Sequence, residues 1–162
     1  MQKITPCLWF DNQAEEAAQF YTSIFKNSKI VQISHYSESA AKMSGKPVGS
    51  ALTVTFQLEG QDFMALNGGP VFKFSPAISL MVSCETQEEV DRIWEKLSYD
   101  KPSEQCGWLK DKYGVSWQIV PAALGKLMQD KDAKKVERVM KALLQMTKLD
   151  IEALRQAFES EG

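Results

Sequence analysis

Few residues in this chain are of a type that performs covalent or metal chemistry. The only histidine is His35, so a Ser-His-Asp or Cys-His relay depends wholly on it. It lies in the strand-like run KIVQISHY between Ser34 and Tyr36, where a lone histidine serves as a polar surface group more often than as a catalyst. Cys7, Cys84 and Cys106 are far apart and form no C-x-x-C pair, the pattern of small buried hydrophobes rather than of a disulfide framework. Cys84 comes just before an expected helix start, the one place of the three where a helix N-terminus could activate a thiol. One imidazole and three scattered thiols give no local metal-ligand spacing, so no metal and no cofactor is expected.

The carboxylates are abundant but placed for structure. Glu15/Glu16 and Glu88/Glu89 fall in the first turns of helices, where the positive end of the helix dipole accounts for them. Asp111 opens the turn Asp111-Lys112-Tyr113-Gly114 and is expected to serve it. No acidic residue interrupts an apolar strand, where burial would raise its pKa toward general acid or base work. The polar residues that do fall on strands are neutral: Asn67, Ser79, Ser83, Ser116 and Gln118. Neutral donors and acceptors among aromatics describe a binding pocket better than a proton-transfer site. Neither G-x-G-x-x-G after a strand nor a phosphate-cradling glycine-lysine run is present, which argues against a dinucleotide or nucleotide-phosphate site.

These residues are positioned by a repeat. ITPCLWFDNQAEEAAQFYTSIF at 4–25 and AISLMVSCETQEEVDRIWEKLS at 77–98 each read as a short strand running into an amphipathic helix. Ala17, Phe20, Tyr21, Ile24 and Phe25 form one apolar stripe; Val90, Ile93, Trp94 and Leu97 repeat it one position shorter. Asn12 and Thr86 are the expected N-caps. After the first helix come three strands, Lys29–Tyr36, Ser50–Leu58 and Asp62–Asn67, the last two joined by a turn at Gly60-Gln61. After the second helix the strands are Glu104–Leu109 and Val115–Val120. The polar stretch Ser37–Gly49 is long enough for a loop that covers a site, and Gly68–Pro76 joins the halves.

From Ala122 the pattern becomes helical, with a stripe of Val136, Val139, Met140, Leu143 and Leu144 and a last helix capped by Asp150. Seven basic and three acidic residues between Lys126 and Lys148 read as a solvated helix face, because no aromatics are interleaved for nucleic-acid stacking. The fold expected is therefore α+β: a first βαβββ module over 1–69, a second, trimmed one over 70–121, and a helical extension over 122–162.

Composition agrees. A chain of 162 residues, 44% hydrophobic and 25% charged, is long enough to fold without metal or disulfide. Its formal charge of −2 is too balanced to imply a nucleic-acid or membrane partner. With no apolar run that spans a bilayer and no signal-peptide pattern at MQKITPCLWFDNQ, the expected compartment is the cytoplasm.

The segments at 4–25, FMALNGGP at 63–70 and CGWLKDKYGVSWQIVP at 106–121 resemble the vicinal-oxygen-chelate superfamily of glyoxalases, extradiol dioxygenases and bleomycin-resistance proteins. Within it they look like the PhnB-like branch, often labelled 3-demethylubiquinone-9 3-methyltransferase domain. The resemblance implies paired βαβββ modules around a cleft and a homodimer. It also implies a divalent metal held by His, Gln or Glu on the first and last strands of each module. By position those ligands fall at Pro6, near Ala65 or Asn67, at Ala77 or Ser79, and at Gln118, a set without carboxylate or imidazole that suits a transition metal poorly. The methyltransferase label implies a cofactor site, toward which only Gly68-Gly69, followed at once by Pro70, could contribute.

The function expected is thus a small-molecule-binding protein or a divergent, metal-independent enzyme, with an unknown small-molecule ligand. Asn67, Ser79, Trp108 and Gln118 are the expected lining residues and His35 a fifth. Two other classes stay open: a metal-dependent lyase or dioxygenase using ligands such as Gln118, His35 or Cys7, and an interaction protein whose helical tail recruits a partner.

Overall fold

In a computed structural model, which describes residues 2–160, the first repeat builds a four-stranded sheet with a helix on one side. Its elements are β1 (Cys7–Phe10), α1 (Ala14–Ile24), β2 (Lys29–His35), α2 (Glu38–Ser44), β3 (Ala51–Leu58) and β4 (Gln61–Asn67). The strand order is β1-β4-β3-β2, with β1 and β4 parallel and the other pairs antiparallel. Three alanines, Ala14, Ala17 and Ala18, let α1 sit close on the sheet, and Tyr21 and Ile24 fill the space beside Val54, Phe56 and Phe63. Tyr21, Phe56 and Phe63 form a run of stacked rings, with centroids 6.4 and 5.6 Å apart.

Three local details differ from the sequence expectation. The β3–β4 turn is Glu59-Gly60 rather than Gly60-Gln61: both residues have positive φ, 48° and 79°, as a two-residue turn matched to strand twist requires. The polar stretch 37–49 holds α2, with Ser37 accepting from the Ala40 N–H and Gly45 closing the helix at φ 70°. At α1 the capping residue is Gln13, not Asn12, and no side chain of its own closes the turn. The carboxamide of Asn67 does so from β4, accepting from the Ala14 N–H at 2.8 Å.

The second repeat contains β5 (Leu80–Cys84), α3 (Gln87–Leu97), β6 (Trp108–Lys110) and β7 (Ser116–Pro121), in the order β5-β7-β6. Here β5 and β7 are parallel, as β1 and β4 are, so the duplication extends to sheet topology. The trimming removes one strand, leaving βαββ. The run expected as a strand over 104–109 shortens to β6 because Cys106 and Gly107, at φ 51° and 85°, turn the chain between Gln105 and Trp108. Thr86 caps α3 through the Glu89 N–H, and Val90, Ile93, Trp94 and Leu97 are buried as the stripe predicts.

The chain divides into two compact units between Phe74 and Ser75, and α4 (Ala122–Met128), α5 (Ala133–Leu144) and α6 (Ile151–Glu159) belong to the second unit. Val139, Leu149 and Leu154 from this segment are buried along with Trp117 and Ile119. Among the described residues no helix is long and apolar enough to cross a membrane.

Candidate functional site

The alternation of β5, β6 and β7 separates two faces. Cys84, Leu109, Trp117 and Ile119 are buried on one, so Ser79, Met81, Trp108, Lys110, Ser116 and Gln118 fall on the other, where Ser116 is itself buried at the end of β7. Register then aligns three of these residues across the sheet, because Met81 on β5 and Trp108 on β6 both pair with Gln118 on the central β7. The Gln118 Nε2 donates to Ser79 Oγ at 2.9 Å, which fixes the carboxamide over the sheet. Met81 is 68% exposed, while Trp108 and Gln118 are half-buried. Trp108 also borders an open cavity of 380 Å³ with Ser103, Gln105 and Cys106.

Ser79, Trp108 and Gln118 are thus brought together, as a neutral donor-acceptor pair beside an indole. Met81 completes their row and was not among the expected residues. Its signal was the period-2 alternation of ISLMVSC, which puts Met81 in phase with Ser79 and Ser83. The other two expected residues lie in the first unit. His35 ends β2 and is exposed, next to an irregularity in the β2–β3 ladder. Asn67 is buried on the α1 side of its sheet with its carboxamide committed: Oδ1 to the Ala14 N–H, and Nδ2 to the Ala51 carbonyl at 3.1 Å. Its own carbonyl accepts from the Tyr36 hydroxyl.

The donor set does not fit the divalent metal that the fold family implies. Pro6, Ala65 and Ala77 carry no side-chain donor, and the Asn67 carboxamide is already bonded to the Ala14 N–H and the Ala51 carbonyl. Ser79 and Gln118 remain, and they bond to each other. Among the described residues no group of three His, Cys, Asp or Glu side chains converges. Thiol chemistry is equally poorly placed at Cys84, which is buried and whose pKa is pushed up to about 12, first by burial and then by the charge of Glu89. Cys7 is exposed, and partial desolvation by its neighbours raises its pKa. The Gly68-Gly69 pair has a packing role: a Cβ at Gly68 would sit 2.1 Å from the Trp9 indole, whose N–H donates to the Gly69 carbonyl at 2.8 Å.

Comparison with known proteins identifies the family and the fold. A family described as 3-demethylubiquinone-9 3-methyltransferase matches residues 2–120. A solved structure from Bacillus cereus, titled a 3-demethylubiquinone-9 3-methyltransferase and PhnB protein, is 43% identical. It covers 75% of this chain and 100% of its own, with a TM-score of 0.64. PA1353 from Pseudomonas aeruginosa is 15% identical over 75% of this chain and 98% of its own, at a TM-score of 0.55. The fosfomycin resistance protein FosX from Listeria monocytogenes, solved with Mn(II) and sulfate, is 14% identical over 80% and 98%, at 0.50. The last two share the fold alone. No curated protein matches the chain. With a glyoxalase/bleomycin-resistance-like α+β fold, and with nearly three-quarters of its length matched, the chain belongs to the PhnB-like, 3-demethylubiquinone-9 3-methyltransferase family.

Proposed function

We propose that this protein binds a small organic molecule on the open face of the β5-β7-β6 sheet and does so without a divalent metal. The observation that carries the reading is the row Met81–Gln118–Trp108, with Gln118 held by Ser79. Binding sites of this kind combine apolar and aromatic walls with a small number of fixed polar groups. The residues at the family's metal positions offer one hydroxyl and one carboxamide, which complement organic donors and acceptors better than a transition metal.

Two measurements test the reading. Tag-free protein is incubated with Zn, Ni, Mn and Fe, desalted and analysed for metal; the expected content is background. A fragment screen by thermal shift is then run on the wild type, Trp108→Ala and Gln118→Ala. Stabilising fragments are expected to lose at least about tenfold in affinity in both variants, about 1.4 kcal/mol. About one metal per chain, or hits indifferent to both substitutions, would overturn the proposal.

A further inference from the structure

We infer that the first unit carries a ligand site of its own, and that it takes a small primary ammonium ion. A cavity of 340 Å³ is bordered by the start of α1 and by the chain from Lys46 to Ala51. That volume is near the lower end of the range for ligand cavities, about 300–1,000 Å³, so the occupant is small. The buried Tyr36 and Asn67 border it together with the exposed Glu15 of α1. The first argument is hydrogen-bond polarity. Ser50 Oγ donates to the Pro47 carbonyl at 2.7 Å, and the Tyr36 hydroxyl donates to the Asn67 carbonyl. Both hydroxyl hydrogens are thus committed to backbone oxygens, and lone pairs are all that these two groups have left to offer. The Glu15 carboxylate also only accepts, and its one hydrogen bond among the described residues is a long one, 3.5 Å from Gln19 Nε2. A primary ammonium carries three donors and no acceptor, which matches this set.

Donors border the cavity as well, at Asn12, Lys46 and Asn67, so polarity alone also admits a carboxylate. Charge decides between the two. Lys46 is the only cationic side chain on the lining among the described residues, and Asp11 already holds it. Its Nζ donates to Asp11 Oδ1 at 3.2 Å and to the Asp11 carbonyl at 3.0 Å. With that pair neutral, Glu15 leaves one negative charge in excess. The positive end of α1 offsets about half of it, and the balance stays negative. A carboxylate would put a second anion on Lys46 and face Glu15, whereas an ammonium answers a carboxylate that no cation pairs. Pro47, Ala51 and the Tyr36 ring offer apolar contact to a short alkyl group on the ammonium.

The test follows the amide signals of the isotope-labelled full chain by NMR, at pH 7 and constant ionic strength, during titration with three probes. n-Butylammonium has the charge and the donors, tetramethylammonium has the charge without donors, and butanoate has the opposite charge. n-Butylammonium is expected to shift the signals of Glu15, Tyr36 and Ser50. Because Glu15 is exposed, the selectivity is modest, and n-butylammonium should bind at least about threefold tighter than either of the others. Glu15→Gln should weaken it by a similar factor, and Lys46→Met should leave it no weaker. Dispersed spectra and thermal midpoints establish that both variants are folded, and the comparison of probes on the wild type stands without them. Equal binding of tetramethylammonium overturns the polarity argument. Butanoate binding that is equal or tighter, and is lost in Lys46→Met, makes this an anion site and overturns the inference. So does n-butylammonium binding that shifts none of the three signals or is unchanged in Glu15→Gln.

Discussion

Asp111 shows how a single residue of the PhnB-like signature segment is used. Its carboxylate is 2% exposed and accepts from the Tyr113 N–H at 2.9 Å, the Val115 N–H at 3.0 Å and the Trp117 indole N–H at 2.8 Å. It closes the β6–β7 turn and also satisfies a buried indole donor, as its place at the head of that turn leads one to expect. Asp111→Ala leaves these donors without their acceptor, and urea denaturation should show a loss of about 3 kcal/mol. An unchanged midpoint would mean that water replaces the carboxylate at no cost. Asn67 was harder to read. In the run Phe63-Met64-Ala65-Leu66-Asn67 both phases of the strand are apolar, so alternation alone does not say which face the carboxamide joins. Pairing settles it: Phe63, Ala65 and Asn67 fall on the α1 side, and the carboxamide becomes the helix cap that Asn12 does not provide.

Among the elements, α1 and α3 were legible because their stripes are long and regular, and the repeat identified both at once. Helix α2 was hidden. It is 7 residues long, and Gly45, Pro47 and Gly49 after it dominate the composition of the segment. The helical extension was legible as helices but not in its docking, which runs through long-range polar contacts. Gln87 on α3 accepts from the Ile151 N–H at 2.9 Å and donates to the Leu149 carbonyl at 3.1 Å, and Lys148 reaches Asp91 at 2.6 Å. The hydrogen bond from Lys148 holds Asp91 below the usual carboxylate range, and the Lys134 and Lys135 N–H groups do the same for Asp132 at the start of α5. Carboxyls depressed in the folded state contribute stability that is fully present above roughly pH 5 and is lost as pH falls through their native values. Exposed pairs contribute little individually, so the expected effect is local. Amide exchange in α5 and α6, corrected for the intrinsic rate, should be level between pH 7 and pH 5 and accelerate relative to the first unit near pH 3. Lys148→Ala should remove part of that pH dependence. An exchange ratio that stays constant to pH 3 would show that the apolar contacts alone hold the helices.

At the scale of the whole chain the family match stops at residue 120, yet the helices beyond it are bound into the second unit. The carbonyls of Met146 and Thr147 accept from the Cys106 and Gly107 N–H groups, at 2.9 and 2.8 Å, on the tight turn that leads into Trp108. A Cβ at Gly107 would press on the Leu149 side chain at 3.1 Å, so this turn and the extension are packed to contact. Val139, Leu149 and Leu154 are also buried, each worth about 1.5–3 kcal/mol relative to exposure. The second module lacks a counterpart of β2, and the extension supplies backbone acceptors and apolar cover to the turn before β6. Truncation after Pro121 should therefore destabilise the second unit by at least about 3 kcal/mol and disorder the Cys106-Gly107 turn that sets Trp108, while the first unit keeps its amide protection. Hydrogen exchange resolved by residue distinguishes the outcomes. Loss confined to the second unit means that the extension is part of the module that carries the candidate site. Unchanged protection at Gly107 and Trp108 means that the three helices fold beside it and are free for a role of their own.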